Sequence, residues 1–201
     1  MNDVNRVKRW RTVKLKTPII GIDDGGFDRF SKEDIDIPVF GVIMKGAAYV
    51  DGIIQCFLKK DDPLATNIVS HMILESPHRH QLKAILLQGI TIAGFGVLNI
   101  VNLYNSTEIP VIVVLRKYPD YPRIKSALKK VFPSDQKRWQ NIELAGEPIK
   151  VQDDPLLYLQ IAGIHPQDAY LLIKRCTTIG TIPEALRIAH FIGASHYHST
   201  N

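Results

Sequence analysis

The residues best placed to do chemistry are Asp23 and Asp24, which follow the apolar run Pro18-Ile19-Ile20-Gly21-Ile22 and precede Gly25-Gly26. A short β-branched run closed by paired glycines reads as a buried strand entering a turn. Two carboxylates then stand at its C-terminal end, where α/β sheets gather ligands. Buried charge is costly unless it is paired or holds a cation, so the pair points to metal binding or acid–base work. A solvated Asp-Gly turn is the plain alternative. His190 is a second candidate, although a histidine inside the apolar segment 182–192 reads, by itself, as a packed side chain.

The cationic residues are uneven. Arg6, Lys8, Arg9, Arg11, Lys14 and Lys16 crowd around Trp10, and Arg123, Lys125, Lys129, Lys130, Lys137 and Arg138 precede Trp139. Basic residues interleaved with aromatics suit phosphate contact and base stacking. A solvated helix face or a lysine-guarded edge strand explains either group equally well. The net charge of +5 favours an anionic partner only weakly.

The elements that must position these residues follow from periodicity. Strands are expected at about 18–23, 38–44 and 48–58, the last two joined through Lys45-Gly46-Ala47 as an antiparallel hairpin. A helix over 62–76 opens at Asp62-Pro63, and Ala84-Ile85-Leu86-Leu87 is a buried strand. A glycine-containing loop, 88–96, leads to a helix at about 97–106. Pro110 to Leu115 is another buried strand, and 121–131 is helical. Two short strands are expected in 139–160, around Asp153-Asp154-Pro155, then a helix from His165 to about Thr177. Thr181-Ile182-Pro183-Glu184 has the capping-box pattern and opens a last helix to about 194. Residues 1–17 form a basic arm or edge strand, and 195–201 a frayed tail, of a single 201-residue domain.

Three antiparallel-type strands followed by strand–helix alternation predict an α/β fold with a mixed sheet of five or slightly more strands flanked by helices. This is the ribonuclease H-like arrangement, whose central first strand carries an acid. No GxGxxG or P-loop motif is present, so no nucleotide cofactor is expected. No apolar run approaches the roughly 18 residues of a membrane span. The two cysteines, Cys56 and Cys176, lie far apart without a CxxC motif and read as core thiols of a cytoplasmic protein.

Six segments in series carry a resemblance: GIDDGGFDRF (21–30), YVDG (49–52), AILLQGITIAGF (84–95), PVIVVLRK (110–117), QIAGIHPQDA (160–169) and TIPEALRIAH (181–190). Together they resemble the archaeal endonuclease dU family, a relative of endonuclease V. The resemblance implies Mg²⁺- or Mn²⁺-dependent nicking of DNA at a deaminated base, deoxyuridine or deoxyinosine. It implies a metal-binding Asp23, the additional acid Asp24, a late-helix histidine at His190, and Arg116 in place of a strand-end lysine. Tyr49 and Gly52 fall on a duplex-wedging segment whose proline is here Asp51. Lys117, Arg123 and Lys125 would then meet nucleic acid.

Two positions depart from that pattern. A metal-binding aspartate is replaced by Gln88, which offers a neutral carbonyl oxygen, and a glutamate falls by ungapped count on Leu58. Asp61 and Asp62 are the nearest acids that could replace the glutamate. Impaired activity is therefore expected. The rival reading is a non-catalytic nucleic-acid-binding protein that kept the fold, and a phosphoesterase acting on small nucleotides is a third.

Overall fold

The computed structural model describes residues 9–10, 12–28 and 35–200, with side chains up to residue 196. Arg6, Lys8 and Arg11 of the first basic group lie outside the described residues.

A seven-stranded mixed sheet runs in the order β3-β2-β1-β4-β7-β9-β8. Its strands are β1 (Pro18–Asp24), β2 (Asp36–Lys45), β3 (Tyr49–Lys59), β4 (Ala84–Gln88), β7 (Val111–Leu115), β8 (Ile149–Gln152) and β9 (Leu157–Ala162). β1 pairs antiparallel with β2 and parallel with β4, and β4 pairs parallel with β7. The first five strands put β1 at the centre, as a ribonuclease H-like sheet requires.

Burial follows from this order. β1 and β4 are apolar on both faces because helices cover both, the usual state of a parallel centre. Ile20, Ile22, Ile85 and Leu87 pack with Val69 and Ile73 of α1 (Ala65–Leu74) and Leu103 of α2 (Ile100–Thr107). On the opposite face Ile19, Leu86 and Val114 pack with Leu172 of α5 (Pro166–Arg175) and Leu186 and Ala189 of α6 (Glu184–Thr200). β3 is a sheet edge, so Ile53 and Phe57 stay exposed while Leu58 is buried.

Four local expectations change. Within 88–96 the chain makes a small hairpin, β5 (Thr91–Ile92) with β6 (Gly96–Val97), rather than a plain loop. Residues 136–144 are a helix, α4 (Gln136–Leu144), where strand was expected from 139; Asp135 caps it by accepting from the Lys137 N–H at 3.1 Å. Glu184 does not close a box with Thr181: its carboxylate takes Thr178 and Arg187. The last helix continues to Thr200 instead of ending near 194.

Candidate nuclease site

Gly21 sets the central geometry. A Cβ there would lie 2.5 Å from the Ala185 carbonyl carbon, and one at Gly193 would lie 2.3 Å from the Asp24 carbonyl oxygen. Both contacts are with backbone, so only glycine lets α6 lie directly on β1. Ala189, fully buried, sits between them on the same helix. His190 is thereby held beside the end of β1, with Nδ1 3.0 Å from Asp23 Oδ2.

With Asp23 ionised, the carboxylate accepts from Nδ1–H, which leaves Nε2 for another partner. His190 is exposed, whereas the Asp23 side chain is only 19% exposed. Burial pushes the Asp23 carboxyl above the ordinary carboxylate range, an effect partly offset by His190 and by the Asp24 N–H. A carboxylate that orients an accessible imidazole is a proton-transfer pair.

Gln88 is the next member of this site. The β1–β4 register ends at Ile22↔Leu87, so Gln88 stands beside Asp23 and shares its face. It also lines a cavity of about 920 Å³ at the C-terminal ends of β4 and β7. Arg116 and Lys117 come from the end of β7, and Tyr121, Ile124 and Leu128 from α3 (Tyr121–Val131). A Cβ at Gly89, where φ is +87°, would meet nothing within 4 Å, so the turn after β4 leaves that wall open.

The other expected acids do not converge with Asp23. Asp24 lies on the opposite face and accepts the Ala93 N–H. Asp61, at φ 58°, accepts the Phe95 N–H at 2.6 Å, and its own N–H donates to the Ala93 carbonyl at 2.8 Å. Asp62 accepts from the Leu64 N–H at 2.8 Å and the Lys59 N–H at 3.3 Å, holding the turn before α1. Leu58 is core. Among the described residues no group of three or more His, Cys, Asp or Glu side chains could hold a metal ion. One carboxylate, one amide and one imidazole do not fit a resident Mg²⁺, which is anchored by oxygen ligands, chiefly carboxylates.

The candidate nucleic-acid residues divide. Arg123 and Lys125 are exposed on α3, near Arg116 and Lys117 in the chain. Tyr49 and Gly52 begin β3, and the register sets Tyr49 across Lys45 from Pro18, the far end of β1 from Asp23. Arg9 and Trp10 are held against α5: the Arg9 side chain and the Trp10 backbone N–H both donate to Asp168, at 3.1 and 3.0 Å, and the Trp10 ring packs against the core.

Arg138 corrects the reading of the second basic group. It is 6% exposed. Its guanidinium donates to the carbonyls of Phe95 and Asp61, pairs with Asp135 at 2.9 Å, and lies 4.1 Å from the Phe132 ring centroid. It fastens α4 to the hairpin wall of the cavity. The Ser134-Asp135 cap ahead of Arg138 and Ile142, four apart, was the available signal for this helix.

Known proteins share this architecture. The endonuclease dU family profile matches residues 16–197. A UPF0215 protein of Methanothermobacter thermautotrophicus is 41% identical over 185 residues, covering 92% of this chain and 90% of that protein. The crystal structure of a protein of unknown function from Archaeoglobus fulgidus superimposes with a TM-score of 0.81 at 34% identity, covering 90% of this chain and 98% of that one. Ciona intestinalis endonuclease V, in complex with a 24mer DNA containing an inosine followed by a ribo-adenosine, has a TM-score of 0.60 at 11% identity, over 92% and 87% of the two chains. That last likeness is one of fold, and it makes the architecture here ribonuclease H-like. By its matched profile and its relatives over nearly the whole length, the chain belongs to the endonuclease dU family.

Proposed function

We propose that this protein is an endonuclease-type hydrolase that engages DNA at a deaminated base, deoxyuridine or deoxyinosine, with Asp23 and His190 as its reacting pair. The observation that carries this reading is the 3.0 Å contact between His190 Nδ1 and Asp23 Oδ2 at the end of the central strand; the neighbouring cavity is lined by Gln88 and not by Asp23 or His190 themselves. Asp23 fixes the imidazole, and Nε2 is free to take a proton from an attacking water or return one to a leaving oxygen. Arg116 supplies permanent positive charge for a phosphate, and Lys117, Arg123 and Lys125 extend that charge along α3. The cavity is of small-ligand size and largely apolar, which suits one extruded base. Base preference rests on the family and on the inosine-containing DNA bound by the Ciona protein.

The engaged carboxylates of Asp24, Asp61 and Asp62 favour a second reading, a binding protein with no chemistry. End-labelled duplexes carrying deoxyuridine, deoxyinosine, an abasic site or no lesion separate the two, incubated with Mg²⁺, Mn²⁺ or EDTA. The nuclease reading expects nicking confined to a deaminated base, slower in Mg²⁺ than in Mn²⁺, which tolerates nitrogen ligands better. Binding of these duplexes without any nicking would favour the second reading.

A further inference from the structure

Beyond the end of β7, next to Arg116 and Lys117, four aromatic rings meet in series, three from different elements and Tyr118 from the loop between β7 and α3. Tyr118 packs edge-on against Tyr121 of α3, with centroids 5.8 Å apart, and against Tyr158 of β9 at 5.6 Å. Tyr121 in turn meets Trp139 of α4 at 6.3 Å and a 90° interplanar angle. Tyr158 reaches this spot because β9 pairs Tyr158 with Leu115, the residue before Arg116. The members are not equivalent. Lys125 Nζ lies 4.6 Å from the Trp139 ring centroid, and Tyr121 lines the cavity wall. Tyr118 is the outward member, 48% exposed, and its hydroxyl donates to the Glu147 carboxylate. An aromatic ring held at three points, with half its surface in water, is rigid apolar area among cationic side chains.

We propose that Tyr118 is a stacking platform for an unpaired nucleobase at the mouth of the cavity, so that the strand engaged along β7 and α3 is single rather than paired there. The proposal deepens the nuclease reading by naming the form of its substrate, and it rests on the same cavity. Two observations select nucleic acid as the occupant. The exposed ring follows exposed Arg116 and Lys117 directly in the chain, and exposed Lys125 reaches the same aromatic cluster over Trp139, so that cationic side chains able to complement a phosphate backbone stand by it. The platform also adjoins, through Tyr121, the cavity to which the proposed function assigns an extruded base. A stacked base needs an open π-face, which a paired duplex interior does not offer.

The test measures binding in EDTA, where no cleavage is needed, so it stands apart from the nicking assay. Three 12-nucleotide probes are used: a mixed-sequence single strand, the same backbone made entirely of abasic residues, and the matching duplex. Wild-type protein should bind the base-bearing single strand about five-fold or more tighter than the abasic one, the usual scale of a stacked base. Tyr118→Ala should erase that preference, and Tyr118→Phe should keep it, because the ring and not the hydroxyl stacks. Lys117→Ala should weaken binding to the base-bearing and abasic single strands alike. Circular dichroism of each variant confirms folding, which the exposed position of Tyr118 favours. Equal wild-type affinity for base-bearing and abasic strands, tighter binding of the duplex, loss of the preference in Tyr118→Phe, or a preference that survives Tyr118→Ala would each overturn the proposal. Failure here with nicking intact would leave the nuclease reading standing, and the reverse result would remove only the chemistry.

Discussion

Asp23 is held between opposing forces: burial raises its pKa, while His190 and the Asp24 N–H favour the charged form. Neither of its lateral neighbours in the sheet is a carboxylate: Phe40 faces it on β2, and continuing the β1–β4 register by one residue puts Gln88 on the other side. Gln88→Asp should therefore tighten Mn²⁺ binding by about ten-fold or more, measured by titration calorimetry, because affinity follows the ligand charge count. Equal affinity in the two proteins would mean that position 88 does not face the cation. The cysteines give a second check at this scale. Burial pushes the Cys56 thiol up to about 11 and Cys176 up to about 12. The nucleophile is the thiolate, which is lost as pH falls below the pKa, so at pH 8 Cys56 should alkylate about 100-fold more slowly than a free cysteine and should accelerate towards pH 11. Alkylation at the free-cysteine rate would contradict its partial burial against the core. The sequence placed Asp23 at a strand end because a β-branched run stops there. It could not show that Asp24, Asp61 and Asp62 bind backbone N–H groups, because those partners depend on how residues 88–96 fold.

The element that most shapes the site is α6, which touches β1 through glycine at both ends of the contact. Gly193→Ala puts a methyl group into the Asp24 carbonyl and should cost about 1–3 kcal/mol, the usual scale of overpacking. Urea denaturation measures the loss, and unchanged stability would mean that the helix can ride up without penalty. α4 matters for a different reason: through Arg138 it clamps the hairpin and Asp61. Arg138→Met should lose about 2 kcal/mol or more, because hydrogen bonds from a charged donor to the part-buried Phe95 and Asp61 carbonyls go unmade. A midpoint of thermal unfolding at the wild-type value would remove Arg138 as a clamp. The helices at 121–131 and 166–175 were legible from their spacing. α4 was not, because its exposed face is polar and only Arg138 and Ile142 are buried on it. A buried arginine in a basic run reads as solvent-facing until its partners are known.

For the molecule as a whole, topology was the most legible feature. A tight hairpin at 45–47 forces antiparallel pairing, and an intervening helix forces parallel pairing, so β1 had to become central. The cavity was not legible, because its walls come from segments as distant as Phe27 and Gln160. Neither was the separation of Tyr49 from Asp23, which follows from register rather than from residue type. No helix among the described residues is long and apolar enough to cross a membrane. The most direct test of the reacting pair is single-turnover nicking of a deoxyuridine duplex in Mn²⁺ by wild type, Asp23→Asn and His190→Ala. Asp23→Asn should fall to background, and His190→Ala should lose about 100-fold or more, the scale of a positioned acid–base group. Wild-type rates in both variants would place the chemistry elsewhere in the molecule.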